Sequence, residues 1–280
     1  MSKNQINPFF AVDRMPIYSD YKGERIILGR EALINAETGA VYGLVTPKYK
    51  VVTNEEVADT FTKALDGLPI NSITDHTNSD GSRWKRDIVF GGKFETAIKV
   101  GDVVNTKITI ANGYDLTQPV SFEFGTNRLR CTNGMTGIHK EFSLKIRHSM
   151  NEAIEEIRKG FEIGFEKFSE NFEVYKEWSR MKYTEKEFIS FLNRNTKIKE
   201  DEEAKGVITE RQRNKIVELY PSIRDRYNDG DETVWSQLNV LTAVQTHHTK
   251  AHNGSNVFSA GHKNLQRLIE NFHEEIKQAA

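Results

Sequence analysis

Between Asn151 and Met181, apolar side chains recur at Ile154, Ile157, Phe161, Phe165, Phe168, Phe172, Tyr175 and Trp178. Every step is three or four residues, so the stretch predicts one long amphipathic helix of roughly eight turns. A helix of that length divides the chain. What precedes it must fold from other elements, and its apolar stripe needs a neighbour to cover it. Gly160 and Gly164 interrupt it, each costing about 1 kcal/mol relative to alanine, and their spacing permits close approach of another element.

The residues before the helix carry a different pattern. Glu24–Ile34 and Ala40–Val52 flank Glu37-Thr38-Gly39, which predicts a β-hairpin with Pro47 at an edge or a bulge. Thr53 followed three residues later by Glu56 is a capping box, and it opens a helix with Val57, Phe61 and Leu65 on one face. Gly67 stops that helix. Strands follow at Ile70–Asp75, Arg83–Phe90, Thr106–Ala111, Val120–Phe124 and Leu129–Cys131, with turns at Asn78-Ser79-Asp80-Gly81 and Asn133-Gly134.

After the long helix, Thr184–Glu187 and Thr209–Gln212 cap two further helices, the second expected to end at Pro221. Asp231 begins another through Trp235, Leu238, Leu241, Val244 and His248, and Lys263–Lys277 is the last. The expected class is therefore α+β: antiparallel β-hairpins with one helix, then a long amphipathic helix and a helical C-terminal half. The implied divisions are a flexible arm over residues 1–21, a β-rich α+β domain over 22–150 and a helical region over 151–280. The arm holds Pro8, Pro16 and the pair Phe9-Phe10, which suits docking on a neighbour.

Composition narrows the function. At 280 residues the chain can bury one large or two ordinary cores, and its 28% charged content fits a globular protein. No run approaches the ~18 apolar residues of a membrane span. The N-terminus lacks the basic and apolar regions of a secretory signal, and a single cysteine allows no intrachain disulfide. A cytoplasmic location is the expectation. The net charge of −1 gives no global signal for nucleic acid, so such a site would be a local patch.

Three sets of residues could carry chemistry. Cys131 has His139 as its nearest potential base, but no segment resembles a thiol-enzyme signature, and a small packed residue at a strand end is the plainer reading. His248 and His252, spaced i, i+4, would share a helix face able to hold a metal; a polar helix end is the plainer reading. The third set is basic and aromatic. On its strand, Arg83 and Lys85 share one face, and Trp84 and Arg86 the other. Arg128 and Arg130 alternate likewise, Lys107 lies on a third strand, and Lys48, Tyr49 and Lys50 could extend the group. Adjacent strands would make of these a positive stripe that tracks a single-stranded backbone, with Trp84 or Tyr49 stacking on bases. A solvated sheet face of ordinary charges is the bland alternative. No phosphate-binding glycine loop is present, so no cofactor is expected.

The run Asn127–Gly137 (NRLRCTNGMTG), preceded by ITIANGYD, resembles a phage- and plasmid-borne domain-of-unknown-function family, number 932. Val45–Tyr49 with Asn54-Glu55 looks like its early strand-to-helix junction, Asn112–Asp115 like its turn, and Trp235–His248 like a late helix. The resemblance covers about residues 25–265. It implies a setting of DNA replication, recombination or counter-defence in a bacterial host, and no catalytic residues. The hairpins-then-helix layout is also similar to Rad52-type single-strand annealing proteins. The leading expectation is thus a phage-type protein that oligomerises and binds single-stranded DNA without catalysis. The alternative is a protein-binding inhibitor of a host defence complex, motivated by balanced charge and the phenylalanine-rich helix.

Overall fold

The computed structural model describes residues 6–128, 133–136, 144–145, 150–197, 206–227, 230–249 and 260–279. The class is α+β, with strands first and helices after. A three-stranded antiparallel sheet has the order β1 (Val12–Tyr21), β2 (Glu24–Asn35) and β3 (Val41–Val45). Helix α1 (Asn54–Ala64) follows. A seven-stranded sheet contains β4 (Ile70–Thr77), β5 (Arg83–Phe90), β6 (Glu95–Lys99), β7 (Asp102–Gly113), β8 (Ser121–Arg128), β9 (Asn133–Thr136) and β10 (Leu144–Lys145). Its path is β10-β8-β7-β5-β4, with β6 on β7 and β9 on β8. The helices are α2 (Met150–Trp178), α3 (Glu185–Arg194), α4 (Glu210–Tyr227), α5 (Val234–His247) and α6 (Ala260–Ala279).

By contacts the chain forms two compact units. The first comprises Met1–Ile88, Ile108–Glu123 and Lys140–Gly164, and the second Val89–Lys107, Phe124–His139 and Phe165–Ala280.

In the first unit, α1 starts at the expected capping box. Thr53 Oγ1 accepts from the Glu56 N–H, and Glu56 reaches back to the Thr53 N–H. Its face of Val57, Phe61 and Leu65 is buried, and Phe61 meets the edge of Phe122 with ring centroids 5.3 Å apart. A buried asparagine ties three segments together. The Asn54 N–H donates to Tyr114 Oη at 2.8 Å, its side-chain amide donates to the Pro8 carbonyl, and it accepts from Asn112.

The N-terminal arm is not an arm throughout. Val12–Tyr21 pairs with β2 from Val12↔Asn35 to Tyr21↔Glu24. Pro16 is tolerated because β1 is an outer strand and its register shifts beside that proline. The phenylalanines dock on the chain's own unit: Phe10 packs on Tyr42 and Tyr114, and Phe9 on Trp84.

In the second unit, α5 is buried on all sides except at its end, with α4 and α6 beside it. The rings of Phe188 and Phe191 pack against Phe272, and Tyr175 against Trp178 and Trp235. The capping boxes at Thr184 and Thr209 form as expected. Pro221 does not end its helix. It lies inside α4, where burial of Ile216, Tyr220 and Ile223 offsets the lost N–H donor. Of the α2 stripe, Phe161, Phe172, Tyr175 and Trp178 are buried, and the side chains of Ile154, Ile157, Phe165 and Phe168 lie outside the description.

Candidate functional site

The basic and aromatic residues of β5 sit as alternation requires, but each described arginine faces a carboxylate. Trp84 and Arg86 point to one face with Asp75 of β4. Arg86 grips that carboxylate through Nε and Nη2, both at 2.9 Å, and Trp84 Nε1 donates to the same Oδ1 at 2.7 Å. The Arg86 guanidinium also lies over the rings of Phe9 and Trp84, at 5.2 and 5.4 Å. Trp84 is fully buried, so it is not a platform for bases.

On the opposite face, Arg83 pairs with Asp115. Burial raises the Asp115 pKa, and hydrogen bonds from Thr117 and Arg83 more than reverse it, leaving that carboxyl below its ordinary range. His76 Nε2 stands 3.6 Å from Asp87, which also accepts from Thr109 at 2.6 Å. Lys85 is half-buried, and Lys107 on β7 is buried.

Arg128 departs furthest from the expected stripe. It belongs to the second unit, has no exposed surface, and forms two hydrogen bonds with the equally buried Asp102. Trp235 Nε1 donates to the same carboxylate at 2.8 Å, and the guanidinium lies 5.8 Å from that ring. A cation neutralised in this way cannot contact a phosphate. Alternation along a strand shows which residues share a face, and it is silent on what covers the face. Arg130, Cys131 and His139 lie outside the described residues.

Lys48 and Lys50 are exposed on the loop after β3, with Tyr49 half-buried between them. Burial raises the Tyr49 hydroxyl pKa. His248 caps α5 just past its last residue, and His252 lies outside the described residues. Burial, then nearby His247, Lys215 and Arg226, lower the His248 pKa and favour its neutral form. Among the described residues no group of three His, Cys, Asp or Glu side chains could hold a metal. None of the described helices is long and apolar enough to cross a membrane.

The feature that sequence patterning passed over is the β1–β3 sheet. Met15, Tyr18, Tyr21, Ile26, Ile27, Leu28, Val41 and Leu44 are between 44% and 66% exposed. Met15, Ala32 and Leu44 stand in register across the three strands, and Ile34 opposes Val41 in the adjoining row. At the tip, Tyr18 opposes Ile27, and Tyr21 and Ile26 lie on the other face. The signal was Ile26-Ile27-Leu28: consecutive apolar residues on a strand put apolar groups on both faces.

The family model for Domain of unknown function (DUF932) matches residues 41–270. The chain belongs to the DUF932 family. The resemblance carried by the Asn127–Gly137 run therefore holds, and β3 through most of α6 of this DUF932 chain fall inside the match. No curated protein and no solved structure matches it.

Proposed function

We propose that this DUF932 chain works by docking on protein, through the outer face of the β1–β3 sheet and the β1–β2 tip. The observation that carries this reading is the set of eight half-open apolar side chains on that sheet. Monomeric proteins rarely expose contiguous apolar patches beyond a few hundred Å², and larger ones mark interaction sites. Tyr, Met and Arg, all present here, are the types enriched at protein interfaces. The test is capture of partners on immobilised chain from nuclease-treated lysate of bacteria that also express the natural chain. A stoichiometric protein partner is expected, lost in the Met15→Asp/Leu44→Asp variant. Equal capture by that variant overturns the reading.

A second reading is binding of single-stranded DNA. It is favoured by cations set over open tyrosines: Lys22 lies 5.3 Å from the Tyr21 ring and Arg25 5.5 Å from the Tyr18 ring. Exposed Lys48 and Lys50 add charge in the same unit. Stacking on such rings beside basic groups is sequence-tolerant. Fluorescence polarisation with labelled oligonucleotides across a salt series tests it, because phosphate contacts strengthen steeply as salt falls. Absence of binding at low salt removes it.

A further inference from the structure

We infer that the partner on the β1–β3 sheet is a second copy of this chain, packed face to face. The inference rests on the docking reading above and names its occupant.

Charge is the first argument. Residues 12–35 carry Arg14, Lys22, Arg25 and Arg30 against Asp13, Asp20, Glu24 and Glu31, so the ribbon is neutral. Two of these cations are matched within the copy, Arg14 with Glu31 and Arg25 with Asp20. A two-fold interface sets a patch against itself, so it must not repel itself. This patch meets that condition. A strongly acidic or basic partner would instead select an unbalanced surface.

Area is the second argument. Tyr18 and Ile27 lie on one face at the tip and Tyr21 and Ile26 on the other, so one face offers at most six of the eight side chains, each about half open, on the order of 100 Å² apiece. That approaches the roughly 600 Å² per partner of the smaller specific interfaces. The registered row of Met15, Ala32 and Leu44 gives such an interface an apolar centre.

The manner of contact follows from the edges. β1 is an outer strand, but Pro16 lacks an N–H and the register shifts beside it. β3, the other outer strand, is only five residues long. Prolines, bulges and short edge strands all oppose strand addition. The contact is therefore side chain on side chain across faces, rather than a continuous sheet.

Two experiments on the full chain decide the matter. Light scattering is expected to give a multiple of 32.1 kDa for the natural chain and a monomer for Met15→Asp/Leu44→Asp, with unchanged circular dichroism. A photo-crosslinking benzoylphenylalanine at Tyr18 or Leu44 is expected to join two copies. A chain that stays monomeric to about 100 μM overturns the inference. So does an oligomer that survives the double substitution. Crosslinks in cells to other proteins alone overturn the second copy and leave the docking reading standing. Crosslinks to no protein overturn both.

Discussion

Arg128 and Asp102 hold each other entirely out of water, with Nε at 2.6 Å from Oδ1 and Nη2 at 2.7 Å from Oδ2. Such a pair is costly to break from one side, because the survivor is a buried charge with no counterpart. Arg128→Met or Asp102→Ala should each cost about 3–5 kcal/mol in urea unfolding. The double variant Arg128→Met/Asp102→Leu should cost much less than the sum, with Trp235 Nε1 left short of an acceptor at about 1–3 kcal/mol. Strict additivity would show that the two side chains do not act as a pair.

Gly160 is where α2 comes close to the sheet of its own unit. A Cβ there would stand 3.0 Å from Phe122 Cζ, the ring that Phe61 meets edge-on. Alanine gains about 1 kcal/mol of helix propensity and must push the ring by a few tenths of an ångström, so Gly160→Ala should be near neutral in thermal unfolding. Gly160→Leu cannot be accommodated that way and should cost about 1–3 kcal/mol. If leucine is as stable as alanine, the close approach is not a constraint.

Tyr114 makes stability sensitive to alkali. Burial pushes its hydroxyl up to about 12, although the hydrogen bond from the Asn54 N–H pulls the other way. The folded chain thus holds this proton more tightly than the unfolded chain does. Its contribution is complete below pH 10 and falls by about 1.4 kcal/mol per pH unit until about 12. Denaturant unfolding followed from pH 8 to 11 should show Tyr114→Phe losing about 1 kcal/mol at neutral pH, for the missing acceptor, and declining less above pH 10. Parallel curves for the two proteins would remove Tyr114 as a source of the alkaline sensitivity.

The sequence made local devices legible and global ones less so. The capping boxes at Thr53, Thr184 and Thr209 were readable because donor and acceptor lie three residues apart. Alternation on β5 correctly separated Arg83 and Lys85 from Trp84 and Arg86. What alternation could not supply was the partner across space. Asp75 and Asp102 lie 11 and 26 residues from the arginines they neutralise. Pro221 and the β1 strand depart from the local signal for the same reason: tertiary burial and strand pairing outweigh a local breaker.

The Asp75–Arg86 pair offers a way to ask whether the β5 cations serve DNA at all. Asp75→Asn keeps an oxygen for Trp84 Nε1 and releases much of the hold on Arg86. The expected cost is about 1–2 kcal/mol, since a charge-assisted bidentate contact becomes a neutral one. If the chain binds single-stranded DNA, the freed guanidinium adds about one phosphate contact. The slope of log affinity against log salt should then steepen by about 0.7 in polarisation measurements. An unchanged slope would mean that Arg86 stays over the rings of Phe9 and Trp84 whatever its carboxylate does, and that its place is in the packing of this unit.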